Sequence, residues 1–517
     1  MSASHSNEEE NKLFLPNNEE SSQGLTDEHS IERNNLGKSP RKLIQILIVI
    51  VISIGNFISG TTIPFGAVTL PRLVHNTTLK DTNDTTFTGW ALLNLDESDQ
   101  SLYASIPSFG MLLGSLSAGP LANIIGRKWS CIIGTCGSLT LSFSLIAFAP
   151  NVISLQAGRF FSGCGLGYAT TISTLYLIEI STPDTRGLSG VIPALFGALG
   201  VLTCQILGAY ITNWRILAGI LGTVNIPFFI ALLPCPESPT FLIHVRKIDE
   251  AQKVIQFIRG PNWNIDSEMN DLQNALLHTS SNSMRDLLWG GREIWSPLFI
   301  SLGLMLFSQF SGISIILNYT VDIFTAAAGS SDQFLGTVCV GIALLLSNMC
   351  TLFLVSKMRR RTMLSVSSLG ISFTLIVMGV YFHLKEIKHH SLDNISWLPL
   401  VDLMIYIFAF NLGYGALTWV TAAEILPSKI RSLATSLSVG FVCLISFLLT
   451  YTFGLLIGII HIRGVFWLYG GLSLLGFLYI LKFIPETKDK NEKEIQAHFK
   501  RKKESPQSAP LAVQETF

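Results

Sequence analysis

The sequence predicts an all-α membrane protein with twelve transmembrane helices arranged as two six-helix pseudo-repeats. Hydrophobic residues make up 49% of the 517 residues and charged residues only 14%, whereas a soluble protein of this size carries roughly 25% charged residues. Apolar segments near the ~20 residues that span a bilayer fall into two sets of six. Three charge motifs recur in the same order half a chain apart, which indicates a duplicated membrane bundle, the architecture of a secondary transporter.

The apolar segments divide the chain into two bundles, a linker and two tails. The predicted spans are 43–66, 102–122, 130–149, 154–177, 188–211, 216–234, 296–318, 334–355, 362–383, 398–421, 434–460 and 464–484. We expect a disordered cytosolic tail (1–42), bundles over 43–235 and 296–484, a cytosolic linker (236–295) and a second cytosolic tail (485–517). Within the linker, Glu250–Ile258 and Ser267–Leu277 have the pattern of short amphipathic helices on the cytosolic face, with a plain linker as the alternative.

Lysine and arginine are distributed unevenly between the two sides of the predicted bundle. With a cytosolic N-terminus, 28 of the 35 lie in cytosolic tails and loops and six in outer loops. This positive-inside pattern predicts that both termini are cytosolic. Three glycosylation sequons, at Asn76, Asn83 and Asn394, fall in predicted outer loops and agree with that orientation. We therefore expect a multi-pass protein of the plasma membrane.

Each recurring charge motif lies where a predicted span meets the cytosol. The motifs EISTPDTR, IGRK and PESP return as AEILPSKIR, MRRR and PETK, and their charged residues are Arg127, Lys128, Glu179, Arg186, Glu237, Arg360, Arg361, Glu424, Arg431 and Glu486. A proline separates each of Glu179 and Glu424 from the arginine seven residues later, so pairing across loops is expected. Such pairs can latch an inner gate, closed when they form and open when they break. The alternative is passive anchoring of the topology.

Polar side chains interrupt the seventh apolar segment, SQFSGISIILNYT. On a straight helix Gln309 and Ser314 share a face only loosely, whereas Ser311, Ser314 and Asn318 align better. Polar groups surrounded by lipid need partners, so this face should meet another helix or a wet cavity. Hydrogen bonding between helices is the alternative to solute binding.

Groups that other functions require are missing from the spans. No carboxylate lies deep in them, and Asp402 is near an outer end. A proton-coupled pump usually needs a titrating group within the bundle, so downhill exchange is the simpler prediction. Without a nucleophile–base pair, a metal-ligand set or a phosphate-binding loop, we expect neither an enzyme nor an ATP-driven motor. We also predict no cofactor, no metal, no structural disulfide and no nucleic-acid partner.

Nine segments carry a resemblance to a known family, and they are GPLANIIGRK, GRFFSGCGLG, EISTPDTRG, PALFGALG, PESPTFL, SQFSGIS, NYTVDIFTAAAG, GYGALTWVTAAEILPSKIR and PETK. In this order they resemble the sugar porters of the major facilitator superfamily, over nearly all of 43–490. PALFGALG and NYTVDIFTAAAG resemble especially the facilitated trehalose transporters of insects. It implies the major facilitator fold, alternating access around a midplane sugar site and a cytosolic gate formed by the charge motifs. Gln309 and Trp419 match sugar-contacting positions, and a tryptophan can stack on a sugar face. The candidate substrate-binding residues are Ser308, Gln309, Ser314, Asn318, Asn411 and Trp419.

Several positions depart from that family pattern. They are Asn123, Ser308, Ser314, Ser356, Ala416, Val442 and Cys443. Loss of sugar-directed amides should weaken binding by roughly 1–3 kcal/mol for each hydroxyl left unpaired. We predict facilitative uniport of a hexose or a trehalose-like disaccharide by a monomer. The alternatives are a carrier of another small polyol or organic solute, and a nutrient receptor that does not cycle.

Overall fold

The computed structural model describes residues 42–75, 93, 95–261, 263–278, 291–328, 333–387, 395, 397–427, 430–488, 490 and 494–495. Regular structure within these ranges is helical. Asn76, Asn83 and Asn394 lie outside them, so the predicted glycosylation sites stay predictions. The side chains of Arg186 and Arg431 are also outside the described part, although their backbones belong to described helices.

The helices of the first half follow the predicted spans. They are α1 (Lys42–Gly60), α2 (Thr62–His75), α3 (Glu97–Ile125), α4 (Arg127–Ala147), α5 (Val152–Ile180), α6 (Pro183–Tyr210), α7 (Trp214–Thr223) and α8 (Asn225–Leu232). α1 with α2, and α7 with α8, each form one membrane-length helix with a short interruption. α4 contains a π-helical segment at Cys131–Gly137.

Three short helices form the linker: α9 (Pro239–His244), α10 (Ile248–Arg259) and α11 (Ile265–His278). α10 and α11 cover the two segments for which helices were predicted. At the end of α10, Arg259 pairs with Glu268 at 2.9 Å and also donates a hydrogen bond to the carbonyl of Ile180. Gln45 of α1 donates to the carbonyl of Ile258 at 3.4 Å. The linker is therefore docked on the first half of the chain.

The second half repeats the pattern with one additional break. Its helices are α12 (Arg292–Phe310), α13 (Ile313–Asn318), α14 (Thr320–Ala328), α15 (Gln333–Lys357), α16 (Arg360–Ile387), α17 (Leu398–Phe410), α18 (Ala416–Ile425) and α19 (Arg431–Phe483). A π-helical segment at Asn411–Gly415 joins α17 to α18. α12 ends at Phe310, and α13 is preceded by Gly312, whose φ of 82° lies in the left-handed region that favours glycine.

Ten helices in the described ranges are long and apolar enough to cross a membrane. Two features account for the difference from the twelve predicted spans. α19 covers 53 residues and has non-helical backbone at His461, so it consists of two helices joined at a kink. α5 has 29 residues but carries Arg159 among many small residues, and it is not apolar enough to be counted with the ten. The twelve-span count is the interpretation that these features favour.

Small residues bring α3 and α5 into close contact, as their glycines predict. A side chain at Gly163 would collide with the backbone carbonyl of Pro107, and one at Gly110 with that of Phe160. Only glycine allows the two backbones to approach this closely within the bundle. α3 is thereby fixed against α5.

The two halves pack against each other along three sets of helices. α3 contacts α19, α6 contacts α15, and α2 contacts α13 and α14. The rings of Phe109 and Phe447, with centroids 5.7 Å apart, meet near the middle of α3 and of the first part of α19. We call the end of the bundle that carries the charge motifs the motif end, and the other the far end. Groups in the middle third can therefore be contacted from both halves.

Candidate functional site

The first charge cluster is built around a buried ion pair at the motif end. Arg127, the first residue of α4, approaches Glu179, at the last turn of α5, with Nη2–Oε1 2.8 Å and Nε–Oε2 2.9 Å. Their side chains are only 8% and 10% exposed. Ser238 donates a further hydrogen bond to Glu179. Glu179 therefore pairs across a loop, as predicted, through a two-pronged, charge-assisted contact.

Glu237 closes the start of the same helix. Its Oε1 accepts the backbone N–H groups of Arg127 at 2.7 Å and Lys128 at 3.1 Å. A carboxylate at a helix N-terminus satisfies unpaired donors and interacts favourably with the helix dipole. Burial nevertheless raises the pKa of Glu237, while these backbone hydrogen bonds and Arg127 act to lower it. Lys128 Nζ donates to the carbonyl of Leu233 at 2.6 Å, at the end of the sixth span.

The second half reproduces these contacts. Arg360, first in α16, forms an ion pair with Glu424 of α18. Glu486 accepts the backbone N–H groups of Arg360 at 3.1 Å and Arg361 at 3.3 Å. The guanidinium of Arg361 donates to the carbonyl of Leu481 near the end of the last helix. The recurrence of charge motifs in the sequence is thus a recurrence of the same contacts in space.

Both ion pairs lie within one half of the molecule. Arg127 and Glu179 belong to the first half, and Arg360 and Glu424 to the second. In this conformation the described pairs brace the helix ends of each half and do not join the halves. A latch that holds the two halves together is therefore a proposal about another conformation.

A second group of polar residues surrounds the break in the seventh span. Because the helix stops at Gly312, Ser314 on α13 reaches back to α12 and donates to Gln309 Oε1 at 3.0 Å. The alignment of Ser311 with Ser314 assumed a straight helix, and the chain is not a straight helix across Gly312. Ser311 is fully buried, and its hydroxyl donates to the carbonyl of Ser308 at 2.6 Å.

This group continues into the other half through two serines that the sequence analysis missed. Ser446 Oγ of α19 donates to Ser314 Oγ at 2.8 Å. Ser108 Oγ of α3 lies 3.1 Å from Ser446 Oγ. A series of four side chains, Ser108, Ser446, Ser314 and Gln309, therefore connects the two halves; we call it the serine relay. No signal in the sequence separates Ser108 or Ser446 from the other serines of the spans.

The other candidate substrate-binding residues differ in their environment. Asn318 Nδ2 donates to the carbonyl of Ser314 at 2.8 Å, which places it beside the relay. Asn411 donates to Ser347 Oγ at 3.0 Å, and Ser308 to the carbonyl of its own helix neighbour Met305. Trp419 is 39% exposed, so its ring has a free surface. The geometry groups Gln309, Ser314 and Asn318, and it gives Ser308 and Asn411 helix-packing hydrogen bonds.

Arg159 carries a fully buried guanidinium in the first third of α5. Its Nη1 donates to the carbonyl of Thr62 at 2.6 Å, and its Cζ lies 5.0 Å from the ring centre of Tyr103. In the described ranges no carboxylate pairs with it, and Nη2 has no hydrogen-bond partner. Nη2 packs against Gly66, which also faces Asn318 of the second half. The described residues contain no group of three or more His, Cys, Asp or Glu that could hold a metal.

The chain is similar to known transport proteins. Residues 28–499 match the family model described as sugar (and other) transporter. The facilitated trehalose transporter Tret1 of Culex quinquefasciatus is 33% identical over 456 residues, which is 87% of this chain and 85% of the relative. Its Bombyx mori counterpart is 34% identical over 407 residues, covering 78% and 80% of the two chains.

Solved structures show the same fold. An inward-open structure of the xylose transporter XylE from E. coli superposes with a TM-score of 0.72 at 21% identity, covering 88% of this chain and 99% of that one. The predicted major facilitator fold is thereby confirmed, as is the resemblance inferred from the motifs. The chain therefore belongs to the sugar transporter family of the major facilitator superfamily, whose members are membrane carriers and not enzymes.

Proposed function

We propose that the protein is a facilitative carrier that equilibrates a hexose or trehalose across the plasma membrane by alternating access. The observation that carries this proposal is the serine relay, because it places hydroxyls and an amide from both halves together in the middle of the bundle. A solute bound there contacts both bodies, and rocking of one body against the other exposes it to either side in turn. The names of the insect relatives support trehalose as the first solute to test.

Uniport, as opposed to proton coupling, is supported by the environment of Arg159. A proton-coupled mechanism needs a group within the bundle that gains and loses a proton during the cycle. Arg159 faces backbone carbonyls and the ring of Tyr103, and no described carboxylate pairs with it. An arginine keeps its proton, so this buried charge does not supply a proton switch.

We place the motif end in the cytosol, in line with the positive-inside pattern. The charge clusters then stabilise the inner ends of each half, and their surfaces meet when the inner side closes. Glu424→Gln should change the inward/outward balance, measured by accessibility labelling, more than it changes sugar affinity. The reverse outcome would remove the gate role from the proposal.

The direct test is transport by purified protein in liposomes. Labelled trehalose and labelled glucose should equilibrate across the membrane with saturable rates, and an imposed pH gradient should cause no uphill accumulation. Accumulation driven by that gradient would refute uniport. Saturable binding without flux would favour the receptor alternative.

A carrier of smaller polyols is the second candidate, and a specific observation favours it. Ser308 and Ser314 occupy positions at which the sugar porters have amide side chains, and a serine side chain is shorter than an asparagine or glutamine side chain. A panel of monosaccharides, disaccharides and linear polyols in the same liposome assay distinguishes the two candidates. Selective flux of polyols without sugars would establish the second.

A further inference from the structure

The serine relay crosses between the halves at the midpoint of two long helices. Ser108 lies 108 − 97 = 11 residues into α3, or ~17 Å from its far end, in a helix of 29 residues. Ser446 lies halfway between the start of α19 at Arg431 and its kink at His461. Ser108 is half-buried and Ser446 is 9% exposed. The hydrogen bond that joins them therefore occupies the depth at which a carrier of this architecture holds its solute.

Simple hydrogen-bond chemistry gives the relay a direction. Gln309 Oε1 can only accept, so Ser314 must donate to it. Each hydroxyl has one proton, and Ser314 donates its proton to Gln309. Ser314 can therefore only accept from Ser446, which is the donor of the second hydrogen bond. Because Ser446 donates its only proton to Ser314, it must accept from Ser108. All three hydrogen bonds run the same way, from the first half to the second, and such chains are cooperative.

The two ends of the relay consequently have opposite characters. Ser108 Oγ has used its proton but keeps lone pairs, and no other hydrogen bond to it occurs in the described residues. At the other end, the Gln309 Nε2 protons make no hydrogen bond to the described part of the chain. One half thus offers an acceptor and the other offers a donor. An uncharged solute with several hydroxyls can satisfy both, because each hydroxyl donates and accepts.

We propose that Ser108 is a specificity-determining residue that recognises one solute hydroxyl, which takes the place of Ser446 as the hydrogen-bond partner of Ser108. This inference rests on the proposed function and adds a contact from the first half to the candidates of the seventh span. A solute hydroxyl inserted between Ser108 and Ser446 accepts from the first and donates to the second, so the relay keeps its direction. The exchange makes separation of the halves at this depth dependent on a hydroxylated solute.

The test compares a sugar with its monodeoxy analogues in the full-length protein reconstituted in liposomes. The probe is D-glucose or α,α-trehalose, whichever the wild-type chain carries, with its analogues that each lack one hydroxyl. Wild-type protein should bind one analogue about tenfold more weakly than the parent sugar, because one hydrogen bond is lost. In Ser108→Ala that ratio should fall to about one, while the ratios for the other analogues stay as in wild type.

Two further variants separate recognition from packing. Ser108→Thr keeps the hydroxyl and should restore the discrimination. Ser115→Ala, in the same helix, removes a hydroxyl that donates to the carbonyl of Leu112 within that helix, and should leave all ratios unchanged. Equal weakening of every sugar by Ser108→Ala would show a contact between the halves without solute recognition, and would overturn the proposal. Absence of sugar binding by wild-type protein would overturn the proposed function as well, so the two failures are distinguishable.

Discussion

Neutralising Glu179 should destabilise the protein more than the corresponding change at Glu424. The two glutamates have the same role in the two halves, but their burial differs. In the first pair the arginine and glutamate side chains are 8% and 10% exposed, and in the second 19% and 31%. Glu179→Gln leaves Arg127 as a buried charge whose partner is neutral, and removal of one partner of a buried pair costs about 3–5 kcal/mol. At Glu424 water screens the remaining arginine, and partly exposed pairs contribute about 1 kcal/mol or less.

Glutamine is the appropriate replacement because it keeps the shape and one acceptor oxygen. The glutamine of Glu179→Gln can still accept from Arg127, so the expected loss of stability lies at the lower end of that range, about 3 kcal/mol. The assay is the unfolding midpoint of each purified variant in the same detergent, read by intrinsic tryptophan fluorescence. The ratio of the two effects is the informative quantity, since membrane proteins seldom unfold in two states.

The matched control is Glu250→Gln, which removes the acid of an exposed pair with Lys247 whose side chains are 54% and 55% exposed. It should leave the midpoint almost unchanged. Equal shifts for Glu179→Gln and Glu424→Gln, or a larger shift for Glu424→Gln, would refute the argument from burial.

Three other predictions concern single residues. Gly66→Ala should slow transport and leave the yield of folded protein similar. A methyl group at this position collides with the guanidinium of Arg159, where the two halves meet. A normal transport rate would contradict this packing argument. Trp419→Ala should raise the KM for sugar about tenfold if its exposed ring stacks on the solute, and Trp419→Phe should recover part of the loss; an unchanged KM would assign the ring to the surface. Burial raises the pKa of Glu237, so its contribution to stability is present below its unfolded pKa and is lost as pH rises through the higher folded value. Glu237→Gln should accordingly reduce the fall of the unfolding midpoint as pH rises from about 4.5, and an identical pH profile in the variant would contradict that assignment.

The charge clusters were largely predictable, because the sequence features that indicate them lie within short segments. A proline between Glu179 and Arg186 argues against local pairing, and the recurrence of the motif limits the alternatives. Both ion pairs were expected across loops and occur there. Their confinement to one half each was not predictable, since nothing in a one-dimensional sequence tells which helix ends become neighbours.

The composition of the polar region in the seventh span was predictable, but its geometry was not. The polar residues of the seventh span were evident, yet a periodicity argument assumes a continuous helix, and Gly312 ends it. Ser108 and Ser446 could not be selected, because a serine hydroxyl in a span usually bonds to its own helix carbonyl and has no distinguishing neighbours in sequence. These two hydroxyls become neighbours because α3 contacts α19 in the folded protein.

The duplicated capping contacts make each half autonomous at its ends. In the first unit, Glu237 caps the start of α4 and Lys128 binds the carbonyl of Leu233. In the second unit, Glu486 caps the start of α16 and Arg361 binds the carbonyl of Leu481. Each of these partners belongs to the same unit as the helix end that it contacts. The described linker helices are anchored on the first unit through Gln45 and Arg259. The described capping contacts of each unit thus come from that unit's own residues, and two co-expressed fragments divided between α11 and α12 should reassemble into a folded protein.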